Sequence, residues 1–133
     1  MTVQTLRDRL DQYQRALVRL NECNIANPST MERDATIQRF EFTVELAWKS
    51  MMAYLLLQGL DVASPRQAIR AAYAEGLLSS QSEVDLWMQM IDDRNRTSHT
   101  YHEALAVLIA QRVVNDYLPT LARMADTLRK RLP

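Results

Sequence analysis

The segment STMERDATIQRFEFTVELAWKSMMAYLLLQG, residues 29–59, decides how the rest of the chain must be arranged. Ser29 and Glu32 have the spacing of a capping box, so a helix opens there, and Gly59 supplies the residue that ends it. Between them Ile37, Phe40, Val44, Ala47, Met51 and Tyr54 recur at steps of three and four and form one apolar stripe. Phe42, Leu46 and Met52 lie off that stripe. A helix with two apolar faces either sits in the middle of a bundle or gives its second face to another subunit. A protein of four or five helices has few central positions, so a dimer is the expected assembly.

The flanking segments obey the same periodicity. Val3, Leu6, Leu10, Tyr13, Leu17 and Leu20 line one face and predict a first helix over about residues 2–25. Ser64, Pro65 and Gln67 supply the N-cap, first and third positions of a short helix that ends at Gly76. Another helix starts near Ser80 and Glu83, with Val84, Trp87 and Ile91 spaced to face inward. Thr100 and Glu103 make one more capping box. The helix they open carries Leu105, Leu108, Val113, Tyr117 and Leu121 inward and is expected to bend at Pro119, whose ring removes a backbone hydrogen bond. The fold class is all-α, an antiparallel helical bundle, and residues 1–133 form a single domain.

Composition restricts the functions such a bundle can have. Sixteen basic and sixteen acidic residues cancel, with a pI near 6.7, so any contact with nucleic acid must be local. Only Gly59 and Gly76 are glycines, which excludes Gly-rich phosphate cradles. Cys23 is the single cysteine and reads as a small packing residue; with no apolar signal core at the N-terminus, the expected compartment is the reducing cytoplasm. The longest apolar run, MMAYLLL at 51–57, falls far short of the roughly 18 residues a membrane helix needs. Met51, Met52, Met88, Met90, Trp48 and Trp87 read as core, and Glu41, Glu45 and Lys49 as a solvated face or a rim around the dimer contact.

Reactive residues gather in DDRNRTSHTYHE, residues 92–103, which holds both histidines. Asn95, Thr97 and Ser98 favour caps and turns, so a break in the helix is expected here. Were residues 94–99 helical, five steps of about 100° would set Arg94 and His99 about 140° apart. A break lets both point into one pocket, and an extended link before Thr100 puts His99 and Tyr101 on one side. Cleaving RNA through its own 2′-hydroxyl needs a base, an acid and positive charge near the phosphate. The planar guanidinium of Arg94 suits the phosphate, and His99 exchanges protons near neutrality. The plainer alternative pairs Arg94 with Asp92 or Asp93. His102 is left as a surface residue, and no second pair of ligands accompanies the two histidines, so no metal site is expected.

The register Arg94-Asn95-x-x-x-His99-x-Tyr101 resembles the Arg-polar-x-x-x-His motif of the HEPN superfamily, with the additional tyrosine of HepT-like proteins. QRFEFTVELAWKSMMAYLLLQG at 38–59 and SPRQAIRAAYAEGLL at 64–78 also resemble the nucleotidyltransferase substrate-binding proteins. Together these cover about residues 30–118. The resemblance implies an antiparallel up-and-down four-helix bundle with an additional short helix, a homodimer, and a genetically paired minimal nucleotidyltransferase. HepT-like relatives are metal-independent ribonuclease toxins without a cofactor, silenced when the partner adenylylates the motif tyrosine. On that pattern Arg94 and His99 are the catalytic pair, Asn95 supports them, and Tyr101 is the modification site. The alternative within the family is a non-catalytic subunit that presents nucleotide or substrate to its partner enzyme.

A DNA-binding module is the competing class, since Pro65 through Trp87 reads helix, turn, helix. GLLSSQS at 76–82 is longer than the usual three or four residues, and Glu83 with Asp85 would repel phosphates.

Overall fold

The computed structural model describes residues 1–133 and is all-helical. α1 spans Val3–Asn21, α2 Thr30–Leu57, α3 Pro65–Ala74 and α4 Gln81–Arg96. A 3-10 turn over Thr97–His99 follows α4; then α5 (Glu103–Arg112), a π turn (Val113–Tyr117) and α6 (Leu118–Lys130) run on without interruption. α5 and α6 therefore form one rod. The result is an up-and-down bundle of four rods with α3 as the additional short helix.

Local chemistry sets most of these ends. The Ser29 amide donates to Glu32 Oε1 at 2.8 Å while the Glu32 amide donates to Ser29 Oγ at 3.1 Å, closing the expected capping box. Ser64 and Ser80 cap α3 and α4 through the serine side chain alone. Gly59 and Gly76 adopt φ of 84° and 76°, which lets the amides of Leu60 and Leu77 reach back to the carbonyls of Leu55 and Ala72.

α2 is the hub of the bundle and packs against α1, α3, α4, α5 and α6. Its expected stripe is buried from Ile37 to Tyr54, and Thr43, Ser50, Ala53 and Leu55 are buried as well. Phe42, Leu46 and Met52 are half-buried. A central position thus accounts for much of the two-faced pattern within one chain. Thr43 and Ser50 satisfy their hydroxyls on carbonyls four residues back, at 2.6 and 2.8 Å, which lets small polar side chains sit at helix contacts. Cys23, Met51, Met90 and Trp87 are buried, whereas Trp48, Met52 and Met88 are half-buried around the core.

Three expectations change. α1 stops at Asn21 rather than near residue 25, while Leu17 packs half-buried against the core beside the buried Ala16. In the last rod Leu108 is exposed; Ala106, Ile109 and Ala110 carry the inward face to Val113. The distortion lies at Val113–Tyr117, just before Pro119 rather than at it. There the Leu118 amide bonds the Val113 carbonyl five residues back, and the inserted residue turns Tyr117, Leu118 and Leu121 inward.

Candidate functional site

The end of α4 is anchored from beneath by a carboxylate. Asp93 is 0% exposed, and Arg112 Nη1 donates to both of its oxygens at 3.1 Å. Arg96 adds a contact of 3.0 Å, and the Tyr117 hydroxyl donates to Asp93 while accepting from Gln89 Nε2 at 3.0 Å. Asp93 in turn raises the affinity of Arg112 for its proton, chiefly through the hydrogen bond. Burial, reinforced by the hydrogen bond to Asp93, pushes the Tyr117 phenol well above its ordinary value. The Tyr117 ring stacks on Phe40 of α2, with centroids 5.4 Å apart. The next residue, Arg94, is therefore presented by a turn tied to both α2 and the last rod.

Arg94 does not pair with Asp92 or Asp93. Asp92 goes to Arg66, Asp93 to Arg96 and Arg112, and Arg94 Nε stands 3.7 Å from Glu45 Oε2 on α2. That Nε is buried and makes no hydrogen bond. Glu45 also lies 3.8 Å from Lys49, the partly solvated pair expected of this face, and its contact with Arg94 adds it to the site. Arg94 separates two hollows on the α2 surface. One is lined by Gln38, Glu41, Phe42, Glu45, Leu46 and Lys49. The other is lined by Val44, Glu45, Trp48, Pro65, Ile91 and Asn95.

His99 lines neither hollow. The helical winding continues past Arg94 to His99, contrary to the expected break. Thr97 Oγ1 donates to the Arg94 carbonyl at 2.7 Å and Thr100 Oγ1 to the Thr97 carbonyl at 3.0 Å, so these hydroxyls extend the helix instead of ending it. Thr100 consequently caps nothing. α5 starts at Glu103 with His102 at its N-cap, and the Glu103 carboxylate faces Arg33 at 3.4 Å. The link is a turn rather than an extended strand, yet it still brings His99 and Tyr101 near each other, with ring centroids 6.1 Å apart. His102 packs closer to that tyrosine, at 4.5 Å. His99, Tyr101 and His102 are all exposed, Tyr101 at 76%.

Within one chain the motif therefore divides into an Arg94–Asn95 part facing α2 and a His99–Tyr101–His102 part on the turn. The clamp of Asp93 by Arg112 and Tyr117 was not foreseen; the available signal was an acidic residue three places beyond Met90, itself expected in the core and buried on the same helix face. No three His, Cys, Asp or Glu side chains lie together as metal ligands would. No helix is long and apolar enough to cross a membrane.

A four-rod bundle with this register of residues at the end of its fourth helix resembles the HEPN-type, HepT-like proteins in fold. Residues 8–130 match the family model described as "Nucleotidyltransferase substrate binding protein like", and the chain belongs to that family. It is 31% identical over 100 residues to a Haemophilus influenzae protein named "Probable ribonuclease HepT", a match covering 71% of this chain and 66% of that one. A crystal structure from Thermus thermophilus superposes with a TM-score of 0.77 at 44% identity, covering 90% of this chain and 98% of that one. The tri-AMPylated HEPN toxin of Shewanella oneidensis, solved with its MNT antitoxin, shares the fold with a TM-score of 0.79. Its identity is 18%, with 98% of this chain and 100% of that chain covered.

Proposed function

We propose that this chain is the HepT-like partner of a minimal nucleotidyltransferase in a toxin–antitoxin pair and acts as a metal-independent endoribonuclease. The observation that carries the reading is that one helical segment presents an under-used guanidinium and, five residues on, an exposed imidazole. Arg94 makes only a long contact to Glu45, and His99 stands in solvent at the end of the same helical segment. The names of the Haemophilus and Shewanella relatives support the reading, although what those names describe belongs to those proteins.

In this mechanism Arg94 holds two phosphoryl oxygens of the scissile phosphodiester. His99 removes the 2′-hydroxyl proton, the 2′-oxygen attacks phosphorus, and the bond to the 5′-oxygen breaks. The products are a 2′,3′-cyclic phosphate and a 5′-hydroxyl, the latter needing a proton. A homodimer with the α4 ends side by side supplies that proton from the second His99. Asn95 supports the phosphate side, and Tyr101 is the residue a nucleotidyltransferase reaches.

The test is cleavage of cellular RNA by purified protein, with and without chelator. Wild type should cleave in both, and Arg94→Ala and His99→Ala should each abolish cleavage with helical content unchanged. Activity in the double variant, or loss with chelator alone, removes the mechanism.

A second reading is favoured by one observation: Arg94 and His99 share no hollow in the single chain. On it, the chain is a non-catalytic subunit that presents a nucleotide to the partner enzyme. Arg94→Ala would then weaken nucleotide or partner binding, and no preparation would cut RNA.

A further inference from the structure

We infer that the groove between the α1–α2 link and the π turn of the last rod binds a small amphipathic carboxylate, an acid group on a short aliphatic chain, with Arg33 as the residue that holds the acid. None of the residues lining it belongs to the Arg94–His99 region, so the site stands or falls apart from the function proposed above.

The groove encloses a cavity of about 290 Å³, close to the roughly 300 Å³ at which pockets for small ligands begin. Its apolar wall consists of Ile25 and Pro28 from the link, Val107 from α5 and Val114 from the π turn, and none of these four is buried. Cys23 and Ala110 lie buried behind them. Apolar side chains that water reaches within one concavity are what an aliphatic chain would cover. The π turn that seats Arg112 and Tyr117 on Asp93 is the element that presents Val114 and Asn115 here, so part of the wall is fixed before a ligand arrives.

Arg33 sets the charge of the ligand. Its side chain is only 15% exposed, yet of its three guanidinium nitrogens only Nη2 has a partner, Glu103 at 3.4 Å, and Nε is buried without a hydrogen bond. A cation withdrawn this far from water needs a close counter-charge and satisfied donors. Glu103 supplies a long contact from an 80% exposed side chain. The other polar residues lining the cavity, Thr36, Gln111 and Asn115, are uncharged, so the chain places no carboxylate of its own there. A ligand carboxylate meets that need, and its tail then lies along the apolar wall. A phosphate monoester, with a charge of about −1.5 to −2, would suffer more from the neighbouring Glu103.

Cys23 is the single cysteine and lines the cavity, so its modification reports on this site alone. The probe is hexanoate, titrated into the intact protein by calorimetry, and in parallel methyl methanethiosulfonate labels the thiol. Hexanoate should bind saturably, once per chain. At ten times its Kd it should slow labelling about tenfold, because about one chain in eleven is then empty. Acetate, which lacks the chain, and hexylammonium, which reverses the charge, should each bind about tenfold or more weakly than hexanoate. Arg33→Gln should lose about tenfold or more in affinity for hexanoate, whereas Arg33→Lys, which keeps the cation, should retain part of it. The comparison of hexanoate with hexylammonium uses wild type alone and decides the charge even where Arg33→Gln folds poorly. Absence of saturable hexanoate binding, equal affinity for hexylammonium, binding that leaves Cys23 labelling unchanged, or full affinity in Arg33→Gln overturns the site. Tighter binding of hexyl phosphate than of hexanoate overturns the choice of a singly charged acid.

Discussion

Arg112 and Tyr117, five residues apart in one continuous rod, both reach the carboxylate of Asp93. On an α-helix of 3.6 residues per turn, positions five apart point about 140° away from each other. The π turn over Val113–Tyr117, with its bond from the Leu118 amide to the Val113 carbonyl, closes that gap and sets both groups on one acceptor. The distortion of the last helix is thus the device that holds the end of α4.

Breaking this clamp should be costly in an order fixed by what is left behind. Arg112→Met removes the partner that bridges both oxygens of a carboxylate with no exposure of its own, and is expected to destabilise by about 3 kcal/mol. Tyr117→Phe keeps the stack on Phe40 and loses one hydrogen bond to a charged group, for about 1.5–2 kcal/mol. Urea denaturation measures both. A loss below about 0.5 kcal/mol in Arg112→Met, the range of ordinary surface substitutions, would falsify the clamp.

Alkaline stability should report the same tyrosine. Burial raises Tyr117, with Asp93 adding to it, and burial raises Tyr13, with the nearby charge of Asp126 adding to it. The folded protein then keeps these phenolic protons at a pH where the unfolded chain, near the ordinary value of about 10, has lost them. Their contribution is full below about pH 10 and falls above it, by up to about 1.4 kcal/mol per pH unit for each tyrosine. Denaturation between about pH 9 and about pH 11 should show this decline in wild type and a shallower one in Tyr117→Phe, where Tyr13 alone remains. Equal slopes would mean that Tyr117 ionises freely in the fold.

How far the sequence could be read depended on whether the deciding interactions were local. The caps at Ser29, Ser64 and Ser80 and the left-handed glycines at 59 and 76 involve neighbours within a few residues, and their positions were legible. The motif residues were legible as types in register. Their placement was not, because Thr97 and Thr100 can either cap a new helix or back-bond to extend the old one, and the choice follows from what holds α4. That anchor, Asp93 to Arg112 and Tyr117, spans 19 and 24 residues and requires a π turn that carries no periodic signal.

The half-buried apolar residues Phe42 and Leu46 lie in the same hollow as Arg94, so a contact between two copies on this face would bring both motif regions together. Light scattering at micromolar concentration should give twice the 15.4 kDa chain mass. Leu46→Glu should yield a folded monomer that has also lost RNA cleavage, because it separates the two copies of His99. A wild-type monomer, or a monomeric Leu46→Glu that cuts RNA at the wild-type rate, would detach the dimer from the chemistry.

Tyr101 is the expected point of control by the partner nucleotidyltransferase. Its ring is 76% exposed on the turn between α4 and α5, between His99 at 6.1 Å and His102 at 4.5 Å, and no hydrogen bond ties its phenol to the bundle. A tyrosine packed with its hydroxyl satisfied would look like Tyr117, and Tyr101 has neither property. In the expected reaction the phenolic oxygen attacks the α-phosphorus of ATP, pyrophosphate leaves, and the phenolic proton passes to solvent or to a base of the transferase. The adenylate left on the turn adds bulk and negative charge beside His99, repelling the RNA backbone. Incubation with the partner, ATP and magnesium should increase the intact mass by one or more adenylate groups and stop RNA cleavage. Tyr101→Phe, altering an exposed side chain, should stay folded, gain no mass and remain uninhibited. Adenylate on the Phe variant would move the switch to another residue, and an unchanged wild-type mass with a partner shown active on another substrate would remove it.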